Sequence, residues 1–420
     1  MLLRLLLLLL LAAPLPGAAY SVLTHQAIID STWDDTLRPL LAQRYPGASD
    51  EQWEQAKSYA YGGAIIQDLG YYPLGTEFFT DLTHYVRPGD FVRNLLRQAQ
   101  NRDEYAFALG ALAHYAADIT GHPEGTNRIM PTVYPDLQAA FGAVVTYEDA
   151  PKRHTELEFS FDVVQVAAGR YRTQDYHKFI GFRVSKPVLE RAFRATYGLE
   201  LGQLLLNVDL TVSTFRFTVN QLIPAATRAA WHNQRREIRR LSPRARRRDY
   251  LYRASRRRFE QEFGPDYEQP GLGARILSLG LKLLPKIGPL RTYAFQLPGP
   301  AGEALFRSSY RASMARFGTL ARQQPADTTA RAPLLPDTNL DTGQPAHTPG
   351  YHLTVATYAE LLRALHKDQF SKLTPPLRQD LLAFFAQSAL PPLKPDADKE
   401  AVKEQQETKE ALTALRALQP

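Results

Sequence analysis

Apolar residues return every three or four positions along most of the chain, the spacing that lines up one face of a helix. From Thr24 to about Gln43 the apolar set is Ile28, Ile29, Leu37, Leu40 and Leu41, and Pro46 closes the segment. A second helix is predicted over Asp50–Asp68, with Ser49 and Asp50 as candidate caps, before Gly70 and Pro73 break the pattern. A short amphipathic segment covers Phe91–Gln100. A long one covers Asp103–Thr120 and ends at Gly121 and Pro123. Further helices are predicted over Pro131–Val145, Arg153–Gly169, Lys186–Tyr197 and Leu199–Ile223, and Pro224 closes this block. Helical pattern resumes from Val355 to about Ser388. Strand-type alternation is scarce, so the fold class is all-α, with a helical C-terminal extension behind the first block.

Composition shifts divide the chain. Residues 1–19 read as a signal peptide: Arg4 supplies a short basic region, and Leu5 to Leu11 form an apolar run too short to span a bilayer comfortably. Gly17 and Ala19 suit the small-residue positions of a cleavage site after Ala19, which would leave Tyr20 as the mature N-terminus. The expected location is therefore periplasmic or secreted. Residues 20–224 read as the main domain, and 225–323 as an arginine-rich, mainly helical region. Residues 324–350, rich in Pro, Thr, Asp and Gly, read as a linker or long loop. A helical segment at 351–393 and a charged tail at 394–420, either a surface helix or disordered, complete the chain.

Net charge is +7, and much of it is local. Arg235 to Arg258 carries a run of arginines opposed only by Glu237 and Asp249. Such a density attracts an anionic membrane surface or nucleic acid, and it equally suits a solvated helical face.

The chain has no cysteine, which excludes thiolate metal sites, disulfides and a cysteine nucleophile. Any metal must be held by His, Asp and Glu, a donor set that suits zinc. Two pairs stand at i and i+4, where helical side chains share a face: His114 with Asp118, and His154 with Glu158. The first lies among Leu109, Leu112 and Ala113. Burying His and Asp there is costly unless something pairs with them, either each other or a metal. His122 lies four residues beyond Asp118. His25, Asp68 and His84 are the other candidates, each individually compatible with a structural role. His177, His232, His347, His352 and His366 lie outside this series and read as structural.

The order of these residues resembles the zinc-dependent phospholipase C family, whose fold is shared with single-strand-specific zinc nucleases. The resemblance covers roughly Tyr20 to Phe161. It implies an N-terminal residue that binds zinc through its amino group and carbonyl, here Tyr20 where the family usually has Trp. It then implies His25, Asp68, His84, His114, Asp118, His122, His154 and Glu158 as further ligands. The family spacing after the central Asp falls on Glu124, which makes Glu124 a rival to His122. We prefer His122, because Gly121 permits a sharp turn at the helix end.

Three zinc ions are implied by the resemblance. One is held by Asp68, His84, His114 and Asp118, a second by Tyr20, His25 and bridging Asp118, and a third by His122, His154 and Glu158. Adjacent zincs can bring bound water to a pKa of roughly 7, giving hydroxide to attack a phosphodiester. Asp68 is the candidate catalytic residue, orienting or deprotonating that water. The implied activity is phospholipase C-like, and Glu158 rather than Asp in the last position favours that branch. A nuclease on the same site is the alternative, and a non-catalytic membrane- or surface-binding protein is the alternative of another class.

Overall fold

The computed structural model describes residues 22–72, 74–167, 182–205, 207–217, 298–325, 333–388 and 398–418, with the single positions 236, 239, 296 and 390. Residues 1–21, with Tyr20 and the expected signal peptide, and most of the arginine-rich segment lie outside the described residues. The protein is all-α: helices with short turns, and no strand pairing among the described residues beyond an isolated bridge between Thr338 and Pro345.

The helix Arg102–Gly121, here α6, is the central pillar. Its elements in chain order begin with α1 (Val22–Thr32), a π-helical turn (Trp33–Leu37), α2 (Arg38–Arg44) and α3 (Asp50–Gly63). A 3₁₀ turn (Ile66–Tyr71), α4 (Glu77–Tyr85) and α5 (Pro88–Gln98) lead into α6. Its start is set by Asn101, whose side chain accepts the Glu104 N–H, with Asp103 and Glu104 in the positive first turn. Apolar residues surround it on every side, so it is buried along nearly its whole length.

Helix α3 packs against α6 at backbone contact. A Cβ on Gly110 would meet the Ala60 carbonyl oxygen at 2.1 Å, and one on Gly63 would meet the Phe107 carbonyl oxygen at 1.9 Å. Only glycine allows that approach. The start of α3 is fixed by a capping box between Ser49 and Gln52.

Beyond α6, Pro123 has no N–H for the helix ladder, and the backbone widens into a π-helical turn over His122–Thr126. Then come α7 (Asn127–Val133), α8 (Pro135–Phe141), α9 (Pro151–Ala167), α10 (Lys186–Tyr197), α11 (Leu201–Leu204) and α12 (Val208–Phe217). The C-terminal part adds α13 (Pro300–Arg322), α14 (His352–Lys367), α15 (Pro375–Gln387) and α16 (Lys399–Ala417).

The C-terminal helices share the core of the first block. Helix α13 lies along α6, where Ser313 donates to the Ala117 carbonyl at 3.2 Å. Helix α14 packs on α4, and α16 covers α14 through Thr408, Ala411 and Leu415. Residues 324–350 differ most from the expected spacer. Over 333–350 they form a loop whose Leu335, Leu340, Asn339, Asp341 and Ala346 are buried. Leu340 N–H donates to the His84 carbonyl at 3.0 Å, Tyr115 donates to the Pro336 carbonyl at 2.6 Å, and Asp90 N–H donates to Asp337 at 2.9 Å. Within the loop, Asn339 N–H donates to the Gln344 carbonyl and Ala346 N–H to the Asp337 carbonyl, each at 2.8 Å, so its polar backbone is satisfied partly internally and partly by other elements.

Several predicted helices are split. The segment Pro131–Val145 breaks at Tyr134–Pro135, and Leu199–Ile223 breaks after Leu204. The segment Val355–Ser388 is two helices, with Gln369 and Phe370 in left-handed conformation between them. Helix α4 carries His84 but has no counterpart among the predicted segments.

Candidate metal centre

The eight candidate ligands among the described residues converge from four helices and two turns. His25 comes from α1, Asp68 from the 3₁₀ turn and His84 from α4. His114 and Asp118 come from α6, His122 from the π-helical turn, and His154 and Glu158 from α9. All are at most 2% exposed, so solvent does not satisfy them. Tyr20 lies outside the described residues. The chain enters α1 beside this cluster, where Leu23 N–H and the Thr24 hydroxyl donate to Asp162 on α9 at 2.9 and 2.8 Å.

Asp118 sits in the middle. His114 Nε2 is 3.0 Å and His84 Nε2 is 3.6 Å from its Oδ2; His25 Nε2 is 3.5 Å and His122 Nε2 is 3.9 Å from its Oδ1. Asp68 Oδ1 is 3.5 Å from His84 Nε2, and the Nε2 atoms of His84 and His114 are 3.5 Å apart. The His25 and His114 rings stack at 4.3 Å. A second group lies beside the first. Glu158 Oε1 is 3.3 Å from His122 Nε2 and 3.2 Å from His154 Nδ1. Ligand atoms around a tetrahedral zinc with bonds of ~2.0–2.1 Å stand about 3.3 Å apart, which is the spacing seen here.

Proton positions follow from the backbone. His84 Nδ1 is 2.8 Å from the Thr80 carbonyl, and His114 Nδ1 is 2.9 Å from the Ala64 carbonyl. A carbonyl only accepts, so both Nδ1 atoms carry hydrogen. Each neutral ring then points its Nε2 lone pair at the other ring and at carboxylate oxygens. The oxygens of Asp68, Asp118 and Glu158 are buried, with no donor in hydrogen-bonding geometry among the described residues. Among the described residues only histidines form ion pairs with them. Lone pairs facing lone pairs in a dry cluster are repulsive unless a metal ion or a proton lies between them. The residues therefore fit bound metal.

The charges respond accordingly. Burial pushes Asp68 up, against the pull of His114 and His84. Burial also opposes ionisation of Asp118, but His114 and His122 outweigh it and hold Asp118 well below the usual carboxylate range. Glu158 is lowered in the same way, His154 and His122 overcoming burial. Burial disfavours a charged His84, yet Asp118 and Asp68 raise it to about 9.

The rival ligand Glu124 is exposed on the turn, whereas His122 is buried in the second group. Of the other histidines, His347 binds Asp380 and Tyr358 at 2.9 and 3.1 Å, away from the cluster. His177 and His232 lie outside the described residues. Two residues beside the cluster have no counterpart in the sequence series. Asp341 lies 3.5 Å from His122 Nδ1, and Asn127 Oδ1 lies 2.8 Å from His154 Nε2. Burial raises Asp341, but His122 and His154 bring it down to about 2. Its signal in the sequence was faint: one of several Asp residues in a turn-forming stretch, directly after the apolar Leu340.

Fold and cluster define the class: an all-helical domain built around groups of His, Asp and Glu that can hold metal ions. The family described as zinc dependent phospholipase C matches residues 24–205, and this part of the chain is a domain of that family. No curated protein and no solved structure matches the chain. The matched segment contains every described candidate ligand, while Asp341 lies beyond it.

Proposed function

We propose that the protein is an exported zinc-dependent phosphodiester hydrolase that acts on phospholipids in the manner of a phospholipase C. The observation that carries this is the set of imidazole nitrogens converging on Asp118, with no lysine or arginine paired to its carboxylate among the described residues. The family domain and the metal-capable groups support a zinc phosphodiesterase. Zinc bound there would supply Lewis acidity toward the phosphate oxygens and water of lowered pKa.

Asp68, His84, His114 and Asp118 would hold one ion, with Asp118 bridging to a second held by His25 and the Tyr20 amino terminus. His122, His154 and Glu158 would hold a third. The carbonyls of Thr80 and Ala64 lock the His84 and His114 rings, so these ligands need no rearrangement on binding. Asp68 Oδ1 faces His84, which leaves Oδ2 to orient the attacking water or take its proton.

Cleavage after Ala19 would free the α-amino group at Tyr20, so export and completion of the site are one event in this reading. The entry of α1 beside Asp118 supports it. Arg235 to Arg258 would draw the enzyme to an anionic membrane. The purified protein is expected to hydrolyse phosphatidylcholine or phosphatidylethanolamine, and chelator should abolish turnover. Chelator-sensitive cleavage of single-stranded DNA alone would move the assignment to a nuclease, and no turnover on any of the three would end the enzyme reading.

A further inference from the structure

We infer that Asp341, on a loop outside the family-matched segment, is a positioning residue that fixes which ring nitrogens of His122 and His154 face Glu158. The inference rests on the metal-centre reading above and concerns how its second group is held.

The hydrogen bonds leave little freedom. The Asn127 side-chain amide nitrogen donates to the Asp341 carbonyl at 2.8 Å and to Asp341 Oδ1 at 3.1 Å. Both are acceptors only, so the amide cannot turn over without setting oxygen against oxygen. Asn127 Oδ1 must then face His154 Nε2, at 2.8 Å, and that nitrogen must donate. The His154 lone pair is thereby assigned to Nδ1, the atom 3.2 Å from Glu158 Oε1. His122 is held from the same side: its Nδ1 faces Asp341 Oδ1 at 3.5 Å, and its Nε2 faces Glu158 at 3.3 Å. One carboxylate thus turns two imidazoles toward one point.

Asp341 is itself held in place. Its Oδ2 accepts the Tyr147 N–H and the Tyr351 hydroxyl, each at 2.8 Å, and Asn339 Oδ1 accepts the Asp341 N–H at 3.0 Å. Oδ2 thus meets two donors, and Oδ1 accepts from Asn127 and lies 3.5 Å from His122 Nδ1, so the protein's own donors orient the Asp341 carboxylate beside the group it forms with His122 and His154. It bonds Asn127, the partner of His154 Nε2, and faces His122 Nδ1 at 3.5 Å, the kind of outer contact that orients metal-binding histidines. The loop of residues 333–350 therefore completes a site whose proposed ligands all come from the first block.

The test uses the full chain, loaded with zinc and labelled with nitrogen-15 at histidine. Long-range nitrogen–proton spectra of the unsubstituted protein should show His154 with hydrogen on Nε2 and metal on Nδ1, and His122 with hydrogen on Nδ1. Metal on Nε2 of His154 would overturn the inference, and this reading needs no substitution. In parallel, zinc is titrated against a chromophoric chelator for Asp341→Asn. One ion per chain should lose affinity by about 10- to 100-fold while the others keep theirs. Unchanged affinity for every ion would also overturn it. A wild-type protein that binds no zinc would instead defeat the metal-centre reading itself.

Discussion

Replacing Gly110 by alanine tests whether the backbone contact between α3 and α6 holds the site as well as the fold. The added Cβ would lie 2.1 Å from the Ala60 carbonyl oxygen and 2.9 Å from the Ala64 nitrogen. Real Cβ atoms essentially never come within 3.0 Å, so the helices must part by about 0.9 Å or bend. Overpacking of this kind costs about 1–3 kcal/mol, and the clash with backbone places Gly110→Ala toward the upper end. The same shift would draw the Ala64 carbonyl from His114 Nδ1, carrying their 2.9 Å hydrogen bond beyond useful range. His114 would lose the contact that fixes its proton. The expected result is a lower thermal midpoint in chelator, by about 2–4 °C for each kcal/mol in a domain of this size, together with weaker zinc binding. Unfolding followed by circular dichroism, with and without zinc, reads both. A Gly110→Ala protein of wild-type stability and wild-type zinc affinity would refute the reasoning.

Three further outcomes are expected. Chelation should lower the thermal midpoint reversibly, since ions that bind only the folded state stabilise it by about 4 kcal/mol at free zinc 1,000 times the dissociation constant. A midpoint indifferent to zinc would be incompatible with the buried carboxylate cluster being a metal site. His122→Ala should lose one zinc per chain while Glu124→Ala retains all of them; elemental analysis showing the reverse would make Glu124 the ligand. His347 is raised chiefly by its bond to Asp380, so it stabilises the fold below its unfolded pKa of about 6.5, and that contribution is lost as pH rises through the folded value. The midpoint difference between wild type and His347→Ala should therefore shrink as the pH is raised above about 6.5, and widening would contradict the pairing.

The sequence made the helical pillar legible because α6 combines an Asn cap, an acidic first turn and apolar residues on every face. The pairs His114–Asp118 and His154–Glu158 could be placed because i and i+4 residues share a face without any tertiary knowledge. Helix ends were harder to read. The break between α14 and α15 depends on left-handed Gln369 and Phe370, residue types that give no turn signal. Helix α4 was missed because it is one short stretch of two turns between a Pro/Gly-rich turn and Pro88. The loop of 333–350 had the composition of a spacer, and composition does not report that Leu340 N–H is taken by the His84 carbonyl. Asp341 was invisible for the same reason: its role depends on Asn127, which lies 214 residues away. Such long-range polar pairing leaves no period in the sequence.

The central claim is a polynuclear zinc centre completed when the chain is cut before Tyr20. Elemental analysis of the chain with its N-terminus verified as Tyr20 tests it most directly. The account expects three zinc ions per chain, falling to two when residues preceding Tyr20 are retained. Fewer than two zincs in the cleaved protein, or full occupancy and activity in the uncleaved one, would contradict it.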